Sequence, residues 1–87
     1  MKETTGSLSN GTAAIAEDRN RVGLIIANTS DTVMTYRPLG TATAAIGIVV
    51  KAGDNIILKE EEAKALIQNA GTLFCAGASK TYVIYEW

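Results

Sequence analysis

The sequence predicts a mainly β protein, an antiparallel β-sandwich of jelly-roll type with one short helix and an extended N-terminal arm. Three observations carry this expectation. From Thr12 onward, short apolar runs alternate with clusters of Gly, Asn, Asp and Ser, the pattern of short strands joined by turns. Only one stretch, Glu60 to Ala70, carries apolar residues at helical spacing. The chain has one cysteine and no histidine, so neither an internal disulfide nor a histidine–cysteine zinc site can hold it together.

Residues 1–11 form the predicted arm and residues 12–87 the sandwich domain. The arm is polar and rich in Gly, Ser, Thr and Asn, with Leu8 its one large apolar residue after Met1. Such a composition suits a flexible tail. It has two possible placements, along the edge of its own domain or across a neighbouring subunit. Thr12 to Ala16 is the first expected strand, closed by Glu17-Asp18-Arg19-Asn20. Arg21 to Ala27 is the clearest strand. Val22, Leu24 and Ile26 alternate with Gly23, Ile25 and Ala27, and two apolar faces predict a central position in a covered sheet. Asn28 to Asp31 is a turn whose side chains bond their own backbone.

Thr32 to Arg37 is the next strand, with Val33 and Thr35 opposite Met34 and Tyr36. Pro38 and Gly40 end it, since proline cannot donate to a sheet ladder. Thr41 to Ala45 is a link of small residues. Ile46 to Lys51 and Ile56 to Leu58 read as a hairpin around Ala52-Gly53-Asp54-Asn55. In the helical stretch, Ala63, Leu66, Ile67 and Ala70 form one stripe. Glu60, Glu61 and Glu62 sit where the helix dipole favours acids, and Gly71 is a natural stop. Leu73 to Ala76 and Lys80 to Trp87 close the fold. The expected core includes Val22, Leu24, Ile26, Ile48, Val50, Leu66, Ile67 and Val83.

Composition bounds function. Eight basic and nine acidic residues leave a formal charge of −1, without the basic stripe that nucleic-acid binding requires. No run approaches the roughly 18 apolar residues of a membrane span, and the start lacks the apolar segment of a secretory signal. Neither nucleic acid nor membrane is an expected partner, and the expected site of synthesis is the cytoplasm. Without histidine, a serine or cysteine nucleophile lacks its usual base. Cys75, between Phe74 and Ala76, suits a small buried hydrophobe better than a reactive thiol. The acids sit in turns or at the helix start, with no calcium-loop spacing. No enzyme, cofactor or metal is expected.

Binding is therefore the expected mode of action. A chain of 87 residues with 47% hydrophobic residues buries only about 60–65% of its unfolded surface, which favours a homo-oligomer, a trimer or dimer. The candidate partner-binding residues are Lys2, Glu3, Thr4, Thr5, Leu8 and Asn10 of the arm, together with Met34, Tyr36 and Trp87. Trp87 closes the last strand and needs a packing partner to avoid fraying. Tyr82 and Tyr85 alternate onto opposite faces, which disfavours a shared sugar platform.

A pattern of short motifs runs through the chain. Gly11-Thr12-Ala13-Ala14-Ile15-Ala16 leads to Arg21 and an apolar strand ending Ile26-Ala27-Asn28-Thr29-Ser30. Next come Leu39-Gly40-Thr41-Ala42-Thr43-Ala44, Gly47-Ile48-Val49-Val50, the turn Ala52-Gly53-Asp54 and a final strand ending in Glu86. From about Gly11 to Glu86 the chain resembles small β-sandwich virion proteins of tailed bacteriophages, known as decoration (cement), head-fibre or minor structural proteins. Glu60 to Ala70 departs from that pattern toward a helix. The resemblance implies a capsid decoration protein that binds the major capsid protein, or another virion protein, in a particle assembled in the host cytoplasm. A neck, tail, baseplate or fibre component is the first alternative, and a small carbohydrate-binding module the alternative from another class.

Overall fold

The computed structural model describes residues 1–59 and 67–87. They form eight strands: β1 (Lys2–Leu8), β2 (Gly11–Ile15), β3 (Gly23–Asn28), β4 (Met34–Pro38), β5 (Ile48–Val50), β6 (Asn55–Lys59), β7 (Gly71–Cys75) and β8 (Lys80–Glu86). All pairings are antiparallel, and they nest: β1 with β8, β2 with β7, β3 with β6, β4 with β5. That set is one long ribbon of paired strands. Rolling the ribbon up brings β8 beside β3 and β7 beside β4. The result is two four-stranded sheets, β1-β8-β3-β6 and β2-β7-β4-β5, which is jelly-roll connectivity.

The core lies between the sheets, filled by alternate residues of each strand. Leu24, Ile26 and Ile84 point in from the first sheet, and Met34, Tyr36, Leu73 and Cys75 from the second. Leu24 and Ile26 are fully buried, so Leu24→Ala would cost about 2–5 kcal/mol. Val50 and Ile67 are buried as expected. Three other expected core residues lie elsewhere. Val22 precedes β3 and is exposed, and Ile48, on the short edge strand β5, is exposed at its flank. Val83 falls on the outward register of β8, and its neighbour Ile84 takes the core position.

Two further expectations need correction. The expected arm is a strand of this domain: Lys2–Leu8 pairs residue for residue with β8, from Lys2 opposite Glu86 to Leu8 opposite Lys80. Its threonines suit a pleated edge, Leu8 is buried in the core, and β1 covers the otherwise open side of β8. The expected hairpin of Ile46–Lys51 with Ile56–Leu58 is absent, because β5 pairs with β4 and β6 with β3. The turn between them crosses from one sheet to the other. Asn28, buried at the end of β3, fixes this crossing. Its backbone N–H donates to Asp54 O (2.9 Å), its carbonyl accepts from Gly53 N (2.9 Å), and its Nδ2 donates to Val50 O (2.9 Å). Its Oδ1 also accepts from Ser30 N (3.0 Å), the self-bonding turn expected there. The predicted helix lies mainly outside the described residues, as does Leu66; Ile67 and Gln68 are helical.

Candidate partner interface

The two sheets treat their outer faces differently. On the second sheet, the connection from Leu39 to Gly47 folds back over the strands. Thr35 Oγ1 donates to Thr43 O (2.7 Å), Thr72 Oγ1 donates to Gly40 O (2.8 Å) and accepts from Ala42 N (2.5 Å), and Ala42 is buried beneath. The chain thus covers that face itself. It leaves Leu39, Ile46 and Val49 turned outward, Leu39 in a left-handed conformation (φ 66°) that a branched side chain disfavours. Beside Leu39 lies a mostly small-residue cleft of about 420 Å³, walled by Ala14, Ala16, Gly40, Ala70 and Gly71.

Among the described residues, no connection folds over the outer face of the first sheet. The register lays its side chains in rows across the strands: Glu3, Tyr85, Ile25 and Ile57 in one, Thr5, Val83, Ala27 and Asn55 in the next. The centre is apolar and the rim polar, the anatomy of a protein-binding surface. Ile57 is 51% exposed, while Ile25, Ala27, Val83 and Tyr85 are half-buried by their neighbours.

Trp87 extends this surface by a row. Its carbonyl accepts from Val22 N (2.6 Å) and Gly23 N (3.0 Å), and its own N–H donates to Gly23 O (3.2 Å). The indole lies across Gly23, where any Cβ would collide with ring atoms Cε2 and Cζ2. Glycine is required there for that close approach. The ring is 38% exposed, so Trp87 is both held by the fold and offered to solvent.

A buried ion pair anchors this corner from inside. Arg21 is 2% exposed. Its Nη1 donates to Glu86 Oε1 (2.5 Å) and Ala16 O (3.2 Å), its Nε to Ile67 O (2.6 Å), and its Nη2 to Asn69 O (3.2 Å). One guanidinium therefore ties together the connection after β2, the segment before β7 and the end of β8. Lys2 adds a longer contact to Glu86 (3.9 Å). At the opposite end, Lys80 Nζ donates to Asp31 Oδ1 (2.7 Å). That bond holds the Asp31 carboxyl below its usual range.

The predicted site residues scatter over this framework. Glu3 and Thr5 lie on the rim of the open face, and Trp87 at its end. Lys2 and Thr4, on the other register of β1, line a cleft of about 230 Å³ with Tyr82 and Glu86. Asn10 sits in the turn after β1 with φ 54°, its N–H bonded to Gly77 O (2.6 Å). Leu8, Met34 and Tyr36 are buried in the core. Met34 and Tyr36, expected at an interface, are therefore interior residues: their alternation with Val33 and Thr35 turns them between the sheets. Burial pushes the Tyr36 phenol above its ordinary pKa and does the same to the Cys75 thiol. Cys75 Sγ lies 3.5 Å from Val33 O inside the sandwich.

The apolar residues of the open face, Ile25, Val83 and Tyr85 at its centre and Ile57 at its flank, were not among the expected site residues. Its signal is the doubly apolar alternation of Arg21–Ala27, which fits a covered sheet and an uncovered sticky one equally well. Among the described residues no helix is long and apolar enough to cross a membrane, and no three His, Cys, Asp or Glu side chains gather as for a metal. Comparison with protein-family models, curated proteins and solved structures finds no match for the chain.

Proposed function

We propose that this chain is a non-enzymatic structural protein of a phage virion, a capsid decoration (cement) protein that self-associates and binds the assembled head lattice. The observation that carries the reading is apolar surface turned outward on both broad sides of the sandwich. Ile57, Tyr85 and Trp87 lie on one side; Leu39, Ile46 and Val49 lie on the other. A protein with two sticky sides can join two neighbours. Repeated over a shell, contacts that are weak singly gain by multivalency. Jelly rolls serve in viral capsids and in lectins alike, and a fold alone does not set function. The chemistry of the surface favours the first of these. Around Tyr85 the open face is aliphatic, with Ile25, Ile57 and Val83, and Tyr82 turns inward, so the two tyrosines of β8 make no common sugar platform. The motifs from Gly11 to Glu86 that resemble phage virion proteins point the same way.

Quantitative mass spectrometry of purified particles tests the reading. Copies in the hundreds per particle are expected for a shell protein. Six or twelve copies would move the assignment to the neck, tail or baseplate. Absence from particles, with sugar-dependent thermal stabilisation on glycan screening, would replace it with a carbohydrate-binding module.

A further inference from the structure

We infer that the open face of the first sheet is a homodimer interface, on which a second copy of this chain packs face to face about a two-fold axis running along the strands. The inference rests on the self-association proposed for the decoration protein and names the surface that performs it.

The two sheets contrast in what covers them. The second is covered by its own connection, with Ala42 buried against it. The first has apolar residues in the same outward register and an exposed Ile57 at its flank. Sheets with an apolar outer face are stable when another layer covers them.

Charge complementarity identifies the occupant. Outward on edge strand β1 stands Glu3, and outward on the opposite edge strand, β6, stands Lys59. A two-fold axis along the strands lays β1 of each copy over β6 of the other. Each Glu3 then faces the Lys59 of the second copy, twice, by symmetry. The two residues lie one pleat repeat apart, about 7 Å along the sheet, an offset that two long side chains span. Two-fold interfaces require this kind of self-complementarity, in which one patch supplies both halves of each contact. Between the charged edges, Tyr85 of each copy meets Ile25 of the other, and the Trp87 ring closes one end.

The area a dimer needs is that of one broad side of a molecule measuring 33 × 23 × 18 Å. A stable interface of standard size buries roughly 800 Å² per partner. That is about a sixth of the 4822 Å² exposed by this chain, the share of one side of a brick-shaped molecule. Pairing by this face leaves the Leu39, Ile46 and Val49 side of each copy pointing away from the dimer, free to meet a lattice on both flanks.

Sedimentation equilibrium of the full chain across the micromolar range tests the inference, with circular dichroism confirming that each variant folds. The wild-type chain is expected to dimerise, with the fluorescence of its one tryptophan shifting to the blue as dimer forms. Ile57→Lys places a charge on the apolar face without touching the core and should weaken the dimer about a hundredfold, since each change counts twice across a two-fold. Glu3→Lys and Lys59→Glu should each weaken it, and the double swap should restore it. A wild-type chain monomeric at every concentration overturns the inference, as does a dimer indifferent to Ile57→Lys. So does a dimer that both single reversals weaken and the swap fails to restore. Burial of Trp87 only on adding a foreign protein, with the chain still monomeric, overturns it in favour of that partner. A monomer sinks this inference without touching particle binding; a dimer missing from purified particles sinks the virion reading alone.

Discussion

Removing the hydroxyl of Tyr36 should stabilise this protein. The ring is fully buried between the sheets, packed against Gly71, and its Oη has no hydrogen-bond partner among the described residues. A buried polar group without a partner costs about 1–3 kcal/mol in lost hydration. Tyr36→Phe abolishes that cost and keeps the ring. The void left is hydroxyl-sized, roughly 10 Å³, and at about 24 cal/mol per Å³ its penalty is only about 0.2 kcal/mol. A net gain of about 1 kcal/mol is expected, which raises Tm by about 4–8 °C in a domain of this size. Alkaline pH offers a second readout. Burial raises the folded-state pKa of the phenol, so the unfolded chain ionises first, near pH 10. Below that pH the group leaves stability independent of pH. Above it, the unfolded state releases a proton that the folded state keeps, and stability falls by about 1.4 kcal/mol per unit until the folded pKa is reached. The advantage of Tyr36→Phe over wild type should therefore widen above pH 10. Urea denaturation at neutral pH and at alkaline pH measures both effects. A variant less stable than wild type by about 1 kcal/mol or more would refute the reasoning, because it would mean that the hydroxyl is bonded, for instance to a trapped water.

Two further predictions concern the corners of the fold. Arg21→Ala strands Glu86 and takes a donor from three carbonyls, and losing one partner of a buried pair costs about 3–5 kcal/mol. A chain this short should then be largely unfolded by circular dichroism, whereas Arg21→Met with Glu86→Leu should recover much of the loss; an unaffected Arg21→Ala would show that the pair contributes nothing. Deleting residues 2–8 removes the buried Leu8 and bares the edge of β8, so the melting transition should collapse, and an unchanged Tm would return the segment to the status of a free arm.

Much of the fold was legible because strand patterning is local. Turn residues at Asn28 to Asp31, Pro38, Gly53 and Gly77 bracket β3 to β8 within a few residues. The two-residue period placed Leu24 and Ile26 on one face, where both are buried. What the sequence could not show is which strand pairs with which. β5 and β6 flank a four-residue turn that suits a hairpin, yet their partners are β4 and β3, set by the rolling of the whole ribbon. The same non-locality hid the arm: a seven-residue segment whose one large apolar side chain is Leu8 has no reason to be ordered until β8, more than seventy residues away in the chain, offers it an edge. The candidate surface was half visible. Trp87, Glu3 and Thr5 could be named from the sequence. Ile25, Ile57 and Tyr85 could not, since whether an apolar face is covered depends on where distant chain lies. Met34 and Tyr36 are large side chains of the kind that interfaces use, and the register turned them inward.

Interior and surface are coupled at one point in this structure. Arg21 and Trp87 lie at the same corner, on opposite sides of the first sheet. The guanidinium fixes Glu86 from within, and the next residue lays its indole across Gly23 from without. Alternation makes this unavoidable: if Glu86 turns inward to its ion pair, Tyr85 and Trp87 must turn outward. The register of β8 is thus pinned by an ion pair rather than by packing alone. A one-residue slip would bury Trp87 and Tyr85 between the sheets and expel Ile84 and Tyr82. Such a slip would also separate Glu86 from Arg21, leaving a buried guanidinium without its carboxylate, at a cost comparable to the stability of a domain this small. The buried pair therefore does more for specificity than for net stability. It selects the one register in which the aromatic end of β8 faces outward, onto the surface where a second copy is proposed to bind.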